Sequence, residues 1–188
     1  MEVFDDLEFV EQDFTKTLLP KGEYDSCRFV SCNFFQIDLS GYTFIDCEFD
    51  TCNLSGVKVV ETGFQSTLVK NSKVLGVAFE SCNSFLFALN FLDSKLDYSY
   101  FYKLNLTACH FENTSLLQVD FSNANLKNLC LTHCDLMGAK FEQTHLEQTD
   151  FRTAIHYTIY PDDNYLNQTK FSKLGLEGLL RKYNLEIT

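Results

Sequence analysis

The sequence predicts an all-β solenoid, a parallel β-helix of about 7.5 square coils closed by a short C-terminal helix. Three observations predict it. The first is a period of five. Stepping by five from Phe4 to Phe79 meets sixteen apolar residues in a row, and stepping by five from Leu86 to Phe151 meets fourteen more, all Leu or Phe. Fifteen of the 19 Phe lie on these steps. The second is a partner position two residues earlier. Of thirty such positions, 22 hold Gly, Ala, Ser, Thr, Cys or Val, and only Glu2 is charged. The third is a longer period of twenty: Leu86, Leu106, Leu126 and Leu146 form one column, and Phe101, Phe121 and Phe141 another. A helix repeats every 3.6 residues and a flat strand every 2, so neither yields a strict five. A chain that turns a corner every five residues does. Four such walls make one coil, with one large and one small side chain per wall pointing inward. Stacked at about 4.8 Å, the coils make a rod of roughly 36 Å.

The elements follow in order. Residues 1–153 form the coils, with a slip of two residues near 80–90. The slip, at Asn83-Ser84-Phe85, is expected as a bulge or small corner loop. Phe85 and Phe87 fall outside the core register there and are candidates for an exposed contact, while Leu86 resumes the register. Residues 154–170 read as a connector because the period fades after Phe151 and Pro161-Asp162-Asp163-Asn164 suits a turn. In the tail, residues 171–188, Ser172 is placed to cap a helix carrying Leu176, Leu179, Leu180 and Tyr183 at helical spacing, with Arg181 and Lys182 at its C-terminal end. Asn184 ends it, and Leu185-Glu186-Ile187 forms a last strand. Such a lid would cover the open end of the coils.

The pentads run small residue, then Asp or Asn, then Leu or Phe, then two free positions, as in Cys52-Asn53-Leu54-Ser55-Gly56, Val119-Asp120-Phe121-Ser122-Asn123 and Cys134-Asp135-Leu136-Met137-Gly138. This resembles the pentapeptide-repeat proteins over residues 2–153, with departures at Glu2, Gln12 and Tyr42. The resemblance implies a right-handed quadrilateral β-helix. The tail, from Lys170-Phe171-Ser172 through Gly178-Leu179-Leu180, is similar to the C-terminal helix of the Qnr-type quinolone-resistance proteins and the related microcin immunity protein. That likeness implies a homodimer joined end to end, with Leu176, Leu179, Leu180, Tyr183 and Ile187 as dimer or cap residues. It also implies DNA gyrase or topoisomerase IV as the partner. Qnr-type proteins carry longer loops than this two-residue slip, so drug protection is not implied.

Charge narrows the classes of partner. The net charge is −11, and residues 1–50 alone hold twelve acids against three bases. Such a chain should avoid nucleic acid and anionic membranes. Asp5, Asp6, Glu8, Glu11, Asp13, Glu23, Asp25, Asp38, Asp46, Glu48 and Asp50 all fall on outward positions and are the candidate partner-binding residues. Their bland reading is solubility and protection of an open edge. Their sharper reading is a mimic of duplex DNA, which presents one negative charge per about 1.7 Å of axis. No apolar stretch is long enough to span a bilayer and the first residues do not read as a signal peptide, so a cytoplasmic location is expected.

Chemistry is expected to be absent. Seven of the eight Cys sit at or near the small inward position, where a thiol serves as filler. Cys27 and Cys47 stack on adjacent coils, but a disulfide is not expected in the cytosol. Cys130, His133 and Cys134 have metal-like spacing, yet Cys134 should face in and the other two out, so no metal site is expected. A rod packed with Phe and Leu offers no cavity for a substrate or cofactor. The function expected is a non-catalytic rod for protein–protein interaction, with a gyrase-directed DNA mimic as the alternative.

Overall fold

A computed structural model describes residues 2–183 and 185–186. The chain winds as a parallel β-solenoid of about seven turns with a short C-terminal helix. One wall is a parallel sheet of β1 (Glu2–Asp5), β3 (Gly22–Asp25), β5 (Thr43–Ile45) and β7 (Gly63–Gln65). The second wall is a parallel sheet of β2 (Glu8–Val10), β4 (Arg28–Val30), β6 (Glu48–Asp50), β8 (Thr67–Lys70), β9 (Leu89–Leu92), β10 (His110–Glu112) and β11 (Leu131–Thr132). The third and fourth walls are too short for strands and pair through single bridges. The third stacks Asp13, Asn33, Asn53, Lys73, Lys95, Ser115, Asp135 and Ile155, and the fourth stacks Ala78, Tyr100, Asp120 and Lys140.

Partners lie twenty residues apart, as in Phe4–Tyr24 and Phe29–Phe49. Across the slip they lie twenty-two apart, as in Thr67–Leu89 and Ala78–Tyr100, and then twenty again. The inward columns are filled as the period requires. Phe9, Phe29 and Phe49 stack at 4.9 and 4.8 Å, and Phe79, Phe101 and Phe121 at 4.8 and 5.4 Å. Where valines replace phenylalanines, at Val59, Val69 and Val74, a void of about 10 Å³ remains. That is about the smallest space that holds a water, and its walls offer no polar partner, so the interior is dry.

The corners explain both the small position and the polarity found there. Residues two past most of the large inward side chains take left-handed backbone, among them Asp6, Ser26, Asp46 and Gln118, with Gly at 41, 56, 76 and 138. A corner of this kind turns the carbonyl of the large residue inward. On most third- and fourth-wall corners a backbone N–H three residues on donates to it, as Ala124 does to Phe121. On the strand walls a side chain of the next coil donates instead. The Cys27, Cys47 and Cys52 thiols donate to the carbonyls of Phe4, Tyr24 and Phe29, and the Thr67 and Thr114 hydroxyls to those of Phe44 and Phe91. A buried carbonyl left without a donor is costly, so Cys, Ser and Thr are required there for hydrogen bonding as well as for size.

The slip departs from expectation in detail. Leu86 does not resume the core register. It takes a left-handed corner at φ 54° and is 62% exposed, beside Phe85 at 68%. Phe87 turns inward in its place and packs edge-on against Phe64 at 6.5 Å. The two extra residues fall between Asn83, still paired in the twenty-residue register, and Ala88, already in the twenty-two-residue one, and the side chain after the corner is the one that reaches the core column.

Residues 154–170 are more than a connector. Ile155 bridges Asp135, Tyr165 bridges His145 and Lys170 bridges Asp150. Leu166 and Phe171 continue the columns twenty residues beyond Leu146 and Phe151, and Phe171 stacks on Phe151 at 5.4 Å. The expected cap is present but compact: an α-helical turn, α1 (Glu177–Leu180), flanked by 3-10 turns at Leu174–Leu176 and Arg181–Tyr183. The Ser172 hydroxyl accepts from the Gly175 N–H at 3.1 Å, as a cap would. The expected apolar stripe does not form, because the change from 3-10 to α winding breaks the 3.6 period. Leu179 packs on the core while Leu176 and Tyr183 face outward. The positions of Asn184 and Ile187 lie outside the described residues.

Candidate functional site

The walls sort the eleven candidate acids into two groups. Five have a base in register or close by. Arg28 on β4 lies between Glu8 on β2 and Glu48 on β6, at 3.0 and 3.2 Å. Lys70 reaches Glu48 and Asp50 at 3.1 and 3.4 Å, Lys58 reaches Asp38 at 3.4 Å, and Lys16 reaches Asp13 at 2.7 Å. The Lys16 ammonium, with help from Thr15, holds the Asp13 carboxyl down at about 2. The charges of the second, third and fourth walls are therefore largely cancelled at this end of the rod.

The other six, Asp5, Asp6, Glu11, Glu23, Asp25 and Asp46, have no ion-pair partner among the described residues. Five of them converge. Asp5 on β1 and Asp25 on β3 are register neighbours, and Glu23 lies two residues before Asp25 on the same outward side. Asp6 and Asp46 stand on the left-handed corner where the first wall meets the second, two coils apart with Ser26 between them. Like charges opposite one another across a strand pair repel, and no lysine or arginine enters the first wall of these coils to offset them. Glu11 sits on the next corner. The patch ends at the third coil, since Gly63 and Gln65 continue the wall without charge.

The remaining candidates do not gather. Cys134 is buried and Cys130 is exposed. Among the described residues no three His, Cys, Asp or Glu side chains stand close enough to hold a metal ion. His110, His145 and His156 lie at separate places on the outside, each 2.9 to 3.3 Å from a carboxylate of its own: Glu112, Glu147 and Asp135. Burial pushes the thiols of Cys47, Cys52 and Cys134 up to about 12, so they are unreactive at neutral pH. No helix among the described residues is long and apolar enough to cross a membrane.

The sequence profile of the pentapeptide repeats matches eight copies in this chain, over residues 99–138 and 134–155. The chain carries pentapeptide repeats. The same burial alternation runs down to the second coil, whereas in the first coil Phe4 and Phe9 are only half-buried and the positions two before them are exposed. Among solved structures, 31 chains match. A trypsin-treated form of QnrB1, a plasmid-mediated fluoroquinolone resistance protein, aligns with a TM-score of 0.74 at 15% identity, covering 100% of this chain and 92% of that one. A second treated form of QnrB1 aligns at a TM-score of 0.50 and 15% identity, with 100% of both chains covered. At that identity the likeness is one of fold. No curated protein matches the chain in sequence.

Proposed function

We propose that this pentapeptide-repeat solenoid is a non-catalytic rod that binds a basic surface of a partner protein through the first wall of its N-terminal coils. One observation carries the reading: of eleven outward acids, five of the six without a base of their own collect on that wall and its corner. A partner's lysines and arginines would relieve the repulsion between Asp5 and Asp25 and meet no competing cation. Capture of partners from host lysate on immobilised protein tests it, with Asp5, Asp25 and Asp46 changed to Lys as the control. Expected is a partner that elutes with salt and is lost on reversal. A partner held equally by both forms defeats the reading.

The full-length alignment with QnrB1 supports a second reading, a DNA mimic acting on DNA gyrase or topoisomerase IV, with a dimer formed through the cap. Magnitudes weigh against it. Five carboxylates over the roughly 10 Å from first to third coil approach the density of duplex DNA, one charge per about 1.7 Å. That density lasts for only about three base-pair steps of 3.4 Å each. A compact basic patch suits it better than a long DNA groove. Supercoiling by gyrase, with and without a fluoroquinolone, should be unaffected by added protein on the first reading and altered on the second.

A further inference from the structure

Tyr98, Tyr100 and Tyr102 belong to one coil, Tyr98 at the corner that opens its fourth wall and the other two on that wall, and their exposures of 53, 47 and 40% leave all three rings in solvent. Isolated exposed aromatics are ordinary, but three on one rung form a patch of the kind found at interfaces. The coil beneath presents Gly76, Ala78 and Glu80, and the coil above presents Gln118, Asp120 and Ser122. Two of the residues below are small, which leaves the rings free on that side. Glu80 and Asp120 bracket the rung, and neither has an ion-pair partner among the described residues. Burial pushes the Glu80 carboxyl up and the charge of Asp120 adds to the push, so the two carboxylates feel one another across the tyrosines. The chain itself shows what these rings accept: the Lys103 ammonium lies 5.0 Å from the Tyr102 ring centre. No such cation stands over Tyr98 or Tyr100 among the described residues.

We propose that the rung Tyr98–Tyr100–Tyr102, with Glu80 and Asp120, is a second docking surface that takes an arginine-bearing segment of a partner protein. A guanidinium stacks flat on a tyrosine ring and at the same time presents paired N–H donors to a carboxylate, which an ammonium cannot do as well. The rung is on a different wall from the acidic coils and stands whether or not those coils bind anything. A second copy of this chain is a poorer occupant. Its net charge is −11, and two of its arginines, Arg28 and Arg152, are already held by Glu8, Glu48 and Asp150.

The test is an NMR titration of tyrosine ring resonances in the full chain with the peptide acetyl-Gly-Ser-Arg-Gly-Ser-Arg-Gly-Ser-amide. Peptides with lysine or citrulline in place of arginine serve as comparisons. The arginine peptide should move the Tyr98 and Tyr100 signals and bind about two- to five-fold more tightly than the lysine peptide, with the citrulline peptide weakest. Tyr100→Ser should weaken binding about two- to five-fold, Tyr100→Phe should retain it, and Glu80→Gln should weaken it and flatten its salt dependence. Asp5→Lys with Asp25→Lys should leave it unchanged, which separates this surface from the acidic first wall. Equal binding of all three peptides, shifts confined to other tyrosines, or no loss in Tyr100→Ser would overturn the proposal. So would self-association in sedimentation that disappears with Tyr100→Ser, since the occupant would then be a second copy.

Discussion

At the scale of single residues, the small inward position carries a hydrogen bond as well as a size limit. Thr67 donates to the Phe44 carbonyl at 3.1 Å inside the wall. Thr67→Val keeps the shape and removes the donor, so it should cost about 1–3 kcal/mol in the denaturation midpoint. Val119→Thr, at a position whose counterpart carbonyl, that of Leu96, already accepts from the Ser99 N–H, should cost less than about 1 kcal/mol. The thiols give a pH dependence with a definite sign. Cys47 and Cys52 rise from 9.0 unfolded to about 12 folded because burial disfavours the thiolate. Their contribution is whole below pH 9 and is lost as pH climbs toward 12, since only the unfolded chain then ionises. Stability should fall across that window, and Cys47→Val with Cys52→Val should flatten the fall. At neutral pH a maleimide should label Cys130 alone in the native chain and all eight thiols after denaturation.

At the scale of elements, the cap depends on two glycines and one tyrosine. A Cβ on Gly178 would lie 2.4 Å from the Tyr157 carbonyl oxygen, and one on Gly175 would run into the Tyr157 ring and hydroxyl. The short turns of the cap can therefore approach the last coil only without side chains at these places. Gly178→Ala should loosen the cap, expose Phe171 and raise binding of a hydrophobic dye, while leaving the strand signal of the lower coils unchanged. The Tyr157 hydroxyl is buried against this contact without a hydrogen-bond partner. Tyr157→Phe removes that unsatisfied group and should be neutral or stabilising by about 1 kcal/mol in thermal unfolding. The reverse result would show that a water or ligand satisfies the hydroxyl in solution.

At the scale of the whole molecule, each coil touches only the coils above and below it. Removing one full coil, residues 106–125, brings the next coil into the same register. The shortened chain should keep its β-type circular dichroism and unfold cooperatively. Removing half a coil, residues 106–115, sets first walls over third walls, breaks every column above the cut, and should give aggregation. Equal behaviour of the two deletions would contradict the four-walled geometry.

The period of five, the inward pair and the twenty-residue columns were legible along the chain because they are translational: a residue's place in the core depends only on its distance from the next. The same arithmetic failed at Leu86 and Phe87, where the backbone at the corner decides which of two neighbouring apolar side chains turns inward. It also stopped short of Leu166 and Phe171, because His156 and Pro161 interrupt the count without interrupting the coil. The eleven acids could be named from the sequence, since they occupy outward positions. Which of them keep their charge unopposed depended on residues twenty apart, Arg28 against Glu8 and Glu48, or Lys58 against Asp38. The tyrosine rung likewise becomes a surface only when Glu80 and Asp120 are set beneath and above it. Repetition along one dimension is a property of sequence, whereas neutralisation, cradling and capping are contacts between coils, and only the stacked structure brings those groups together.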